Sequence, residues 1–140
     1  MDKTDESSRR AFFALAGLAA VPAIARAGKL PNSTMNADKA TVTHEEFGEL
    51  RVYFDGPTDQ LKSMTAGSLK LKPGMSPHPP HQHPEEEMMV ITEGTGEIVV
   101  DGAKSRVGPG SMMYCAAGQL HGIVNTSKAP LLFYYYKWKA

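Results

Sequence analysis

Cysteine is nearly absent. Cys115 is the only one in 140 residues, so no intrachain disulfide can staple the chain. Charge of one sign is not in excess either. Fifteen lysines and arginines face fifteen aspartates and glutamates, which removes the electrostatic basis for binding nucleic acid or an anionic membrane surface. No apolar run reaches the roughly 20 residues that a membrane-spanning helix needs. The longest, Ala11 to Ala25, is rich in alanine and contains Gly17 and Pro22. A helical period is missing as well: beyond residue 27 no stretch of eleven or more residues spaces its apolar positions by three and four. A chain of this length builds one domain. Without disulfides it must be held by core packing, with help from any metal it binds.

The first 27 residues read as a leader rather than as part of that domain. "SSRRAFFALAGLAAVPAIARAG" places Arg9 and Arg10 before the apolar stretch and ends it with Ala25-Arg26-Ala27, the small-x-small pattern a signal peptidase cuts. An amphipathic helix would need a polar face, and none exists between Phe12 and Ala20. "SRRAFF" resembles a twin-arginine export signal. Cleavage after Ala27 removes Lys3, Arg9, Arg10 and Arg26 together with Asp2, Asp5 and Glu6, leaving eleven basic and twelve acidic residues. The expected destination is the periplasm or the exterior, with no membrane contact after cleavage. Residues 28–44 are polar, carry Pro31, Asn32 and Ser33, and read as a flexible arm.

The rest of the chain carries a series of short strand signals. "ELRVYF" (49–54) stops at "DGP", and "GSLKLK" (67–72) stops at Pro73-Gly74. "EMMVIT" (87–92) precedes Gly94, while "EIVV" (97–100) meets Asp101-Gly102, the strongest hairpin signal in the chain. "KSRV", "SMMYC", "HGIVN" and "LLFYYYKW" complete the set. About eight strands with turns every six to twelve residues predict an all-β sandwich or small barrel.

Chemistry concentrates in "HPPHQHPEEEMMVITEG", residues 78–94, with three histidines and three glutamates in its first ten residues. Side chains two apart on a strand point the same way, so His81 and His83 are expected to share a face. Pro84 loosens the phase and lets Glu87 return to that face. Two imidazoles and a carboxylate suit a divalent transition metal: manganese, iron, nickel, copper or zinc. A further ligand must come from His44, His78 or His121, and His121 opens a strand after a glycine turn.

"HQHPEEEMMVITEG" resembles the first motif of the cupin superfamily: His-x-His, three or four residues, Glu, six residues, Gly. His81, His83, Glu87 and Gly94 fill it. "GSMMYCAAGQLHGIVN" resembles the second motif through Gly110, Gly118, His121 and Asn125, with Ala116 where the motif has proline. The leading glycine of the first motif also departs, since Gly74 is separated from His81 by six residues instead of five. Both departures fall in turns and spare the ligands. The resemblance spans about residues 45–138. It implies a single jelly-roll cupin barrel over 45–140 and a mononuclear metal held by His81, His83, Glu87 and His121. Glu87 would be either a ligand or a catalytic base.

Manganese or iron is the expected metal, with nickel, copper or zinc as alternatives, because the donor set is hard and lacks thiolate. The expected activity is that of a small dioxygenase-like oxidoreductase on a bidentate enolate, catechol or keto acid. The alternative is a periplasmic binding or sensing module with the same pocket and no turnover. Sugar isomerase or epimerase chemistry lacks the acid–base residues it would need. Glu85 and Glu86 are expected at the barrel mouth, where either can act as a base behind the ligands, and His78 in a loop over the pocket. His44 is assigned to the surface and Cys115 to the core. Met89 and Ile91 are expected to share the Glu87 face, and one phenol of Tyr134–Tyr136 to reach the cavity. Met88, Val90 and "LLFYYY" are candidate contacts of a homodimer.

Overall fold

The computed structural model describes residues 28–140; the leader expected over residues 1–27 lies outside them. Nine strands succeed one another: β1 (Thr41–Glu45), β2 (Gly48–Gly56), β3 (Ser63–Leu71), β4 (Glu86–Glu93), β5 (Gly96–Val100), β6 (Ala103–Val107), β7 (Met112–Cys115), β8 (His121–Val124) and β9 (Leu131–Lys139). A six-stranded sheet runs β1-β2-β3-β9-β4-β7, and a three-stranded sheet runs β6-β5-β8. Every named pairing is antiparallel. This is the expected all-β jelly-roll architecture.

The core arises from alternation. Glu87, Met89 and Ile91 of β4 are buried, as are Met113 and Cys115 of β7 and Leu131, Phe133 and Tyr135 of β9. Ile98 and Ile123 face them from the smaller sheet. Each large apolar side chain placed there contributes about 1.5–3 kcal/mol. A slip of one residue in β9 would turn Phe133 outward and Tyr134 inward, so burial itself holds the register. The alternation also divides "LLFYYY". Only Leu132, Tyr134 and Tyr136 remain on the outer face.

Three expectations need correction. The arm expected over 28–44 is not wholly unpacked: β1 pairs with β2 from Thr41↔Val52 to Glu45↔Gly48, Ala40 is buried, and the Leu30 amide donates to the Pro57 carbonyl. Backbone hydrogen bonds hold this edge strand, and its sequence "TVTHE" offers only Val42 as an apolar side chain, so the signal was faint. β3 begins at Ser63, four residues before the run that marked it. The third concerns His81 and His83, which do not lie on a regular strand. β4 begins only at Glu86, and His81 is held by an isolated bridge to His121.

Candidate metal centre

Two backbone hydrogen bonds place the first histidine. The His81 amide donates to the His121 carbonyl and the His121 amide to the His81 carbonyl, both at 2.9 Å. This bridge fastens the loop before β4 to the start of β8. His83 is fixed where the Gly118 amide donates to its carbonyl at 2.8 Å. Glu87, the second residue of β4, projects inward by the same alternation that buries Met89. The loop and two strands of different sheets thus meet at one point.

His81, His83, Glu87 and His121 bring their donor atoms within 4.8 Å of one another. Glu87 Oε2 lies 2.8 Å from Nε2 of both His83 and His121. The three imidazoles stand roughly edge to face, with centroids 4.8–5.1 Å apart. On the far side of its ring, His121 Nδ1 donates to the Gln119 carbonyl at 3.0 Å, and His83 Nδ1 to the Glu85 carbonyl at 3.1 Å. With Nδ1 carrying the proton in each, Nε2 presents its lone pair to the centre once a cation replaces the shared proton.

The electrostatics favour a cation. Burial pushes the Glu87 carboxyl up, but hydrogen bonds from His121 and His83 outweigh it and hold the group below its ordinary range. The Glu87 hydrogen bond raises His121 against the opposing effect of burial. His81 is pushed down to about 4, first by burial and then by His78, His121 and His83, so near neutral pH it is an uncharged donor. A buried carboxylate among three imidazoles, with no lysine or arginine ion-paired to it among the described residues, is a donor set that fits one divalent cation.

The other candidates sort by position. His78 stacks on His81 with centroids 3.6 Å apart and lines the cavity, whereas His44 is exposed. Glu86 points away from the centre, accepting hydrogen bonds from Tyr114 and from Trp138 Nε1; a role as base is therefore closed to it. Glu85 stands behind His83, its carboxylate 3.3 Å from Nδ1. Cys115 is buried, its Sγ 3.4 Å from Nδ1 of His121 and so on the side away from the other donors, and burial pushes its thiol up.

A cavity of about 350 Å³ opens onto His81, His83 and Glu87. Phe47, Leu50, Leu69, Met89, Ile123 and Phe133 give it apolar walls, and Tyr135 is the phenol that reaches it. Ile91 shares the inward face of Glu87 and Met89 as expected, but lies in the core beneath the cavity. Glu45 and Lys137, which no motif in the sequence singles out, also line the space. The available signal for Lys137 was the alternation of β9, since an inward row of Leu131, Phe133 and Tyr135 continues to it.

The cupin domain model matches residues 67–136. Among solved structures, KdgF from a Halomonas species superposes with a TM-score of 0.65 at 19% identity, covering 79% of this chain and 96% of its own. A predicted oxalate decarboxylase from Thermotoga maritima gives 0.63 at 20% identity, with 77% and 100% covered. The polyketide cyclase RemF from Streptomyces resistomycificus gives 0.63 at 20%, with 79% and 81% covered. Among curated proteins, none matches the sequence. At these identities the structural likeness speaks for the fold.

Proposed function

The chain belongs to the cupin domain family, and on that footing we propose that His81, His83, Glu87 and His121 hold one divalent transition metal at the floor of a small-molecule pocket. The observation that carries this is the convergence of four donors within 4.8 Å, three of which, His81, His83 and Glu87, line the cavity. Manganese or iron suits the three nitrogens and one oxygen, with nickel, copper and zinc as competitors. The reaction class is oxidoreductase, dioxygenase-like, on a small bidentate substrate. When bound, the metal supplies a Lewis acid with open positions for such a ligand.

The chain's own residues do the rest. Nδ1 hydrogen bonds orient His83 and His121, the apolar walls shape the pocket, and Glu87 serves either as the fourth ligand or, swung off that position, as the base that accepts a proton from a bound substrate. The leader would deliver this domain to the periplasm or the exterior.

The test is oxygen uptake by protein loaded with Fe(II), Mn(II), Ni(II) or Cu(II), using catechols, diketones and keto acids as substrates. Uptake that disappears in Glu87→Gln supports the enzyme. Ligand-induced thermal stabilisation without uptake by any loaded form would make the protein a binding or sensing module.

A further inference from the structure

One wall of the cavity carries a cation that the metal centre does not account for. Leu131, Phe133 and Tyr135 face inward along β9, and the next inward position is Lys137. Register sets Lys137 beside Glu87 and Tyr135 beside Met89, and all four line the cavity. Lys137 is half-buried there, and an ammonium drawn out of water is ordinarily matched by a carboxylate. Among the described residues, none lies within 4.0 Å of Lys137 Nζ.

Its carboxylate neighbours are engaged or distant. Glu87 is bonded to His83 and His121. Asp55, two strands away beyond Thr65, accepts from the Thr65 hydroxyl at 3.0 Å. Glu45 pairs with Gly48, whose row runs through Leu71 to Leu131, six positions before Lys137 on β9.

Tyr135 adds a donor. Its ring lies over Gly67, where a Cβ would come 2.7 Å from the phenol oxygen. Among the described residues the Tyr135 hydroxyl is not a buried atom left without a partner, and Tyr135 lines the cavity. Burial, then the charges of Glu87 and Asp55, push it up to about 12, which keeps it protonated. Side chains two apart on a strand project to the same face, so Lys137 and Tyr135 line one wall of the cavity together.

Resting on the metal-site assignment, we propose that Lys137 and Tyr135 recognise a carboxylate on the substrate, which is a small carboxylic acid with an apolar body and not a neutral catechol or diketone. The apolar body lies against Leu69, Met89 and Phe133, with its reactive end toward the four donors.

The experiment is titration calorimetry of the zinc-loaded chain with benzoate and with benzyl alcohol, its neutral counterpart, with zinc content and folding checked in every variant. Lys137→Met is expected to weaken benzoate at least tenfold and Tyr135→Phe about threefold, as loss of a charged and a neutral hydrogen bond implies. Lys137→Arg should restore most of the affinity, and benzyl alcohol should bind all forms alike. Unchanged benzoate affinity in a folded, zinc-replete Lys137→Met protein overturns the proposal and leaves the metal site standing. A wild-type chain that takes up no zinc overturns the metal site instead, and the dependence on Lys137 is then read from the same titration of metal-free protein.

Discussion

Each imidazole of the proposed centre would contribute one bond, and none duplicates another. Alanine at His81, His83 or His121 is therefore expected to lower metal affinity at least tenfold, because even partners one layer further out carry effects of that size; competition against a chelator of known affinity measures it. Acid should act through His81. Its value falls from the usual 6.5 to about 4 in the fold, so between those values the unfolded chain binds more protons than the native one. Stability from this residue is thus complete above about pH 6.5 and lost as pH falls through about 4. His121, raised by Glu87, works in the opposite sense, giving stability below its usual range that fades as pH rises. Comparing metal-free wild type with His81→Asn in urea melts isolates the first effect. The stability difference should rise with pH between about 4 and 6.5, and a flat difference would refute the burial of a neutral His81.

At the scale of elements, the site depends on how β8 is tied down. Asn125, directly after β8, is fully buried and donates from Nδ2 to the carbonyls of Leu71 and Ala129, while its Oδ1 accepts from the Ser127 amide and hydroxyl. Asn125→Ala would leave several of these groups buried without partners. The expected loss is about 2–3 kcal/mol in chemical denaturation, with weaker metal binding because His121 opens the same strand. Gly94, after β4, is held by a different constraint. Its φ is +78°, and any Cβ would collide with the Pro130 carbonyl. Gly94→Ala should destabilise the fold through strain at this turn even though the residue is remote from the four donors. A thermal midpoint equal to wild type would contradict that.

The whole molecule leaves an apolar outer face on the larger sheet. Met112, Tyr114 and Tyr136 are 63%, 53% and 44% exposed, and register sets Met88 between Tyr114 and Tyr136 and Val90 between Met112 and Tyr134. A homodimer through this face is expected at micromolar concentration in sedimentation, and Tyr114→Glu with Tyr136→Glu should give a monomer; a wild-type monomer would remove the dimer. The proposed export sets a second expectation for the intact chain. Replacing Arg9 and Arg10 by lysine should block translocation. A leader that passes unfolded chains should shift the metal from manganese or iron toward copper or zinc, which bind such donors more tightly when encountered first. Equal metal content under both leaders would show that folding before export does not select the metal.

The sequence by itself determined the class and singled out the four candidate ligands that the fold brings together. Period-two alternation is local, so strands β4, β5 and β9 were legible with their faces. Asp101-Gly102 announced its hairpin, and both residues adopt the positive φ that a tight hairpin turn favours. Two motifs named the four donors because a metal site draws on few residue types at fixed spacings. Tertiary structure alone decided what those positions face. β1 was faint because backbone pairing at a sheet edge needs no apolar side chain to record it. His81 and His83 meet Glu87 through a bridge to β8 rather than through strand alternation, a contact across forty residues that no local period encodes. The contact of Glu86 with Trp138 and the placing of Lys137 beside Glu87 come from the register between β4 and β9. Register is fixed by burial of the whole core and not by any short segment.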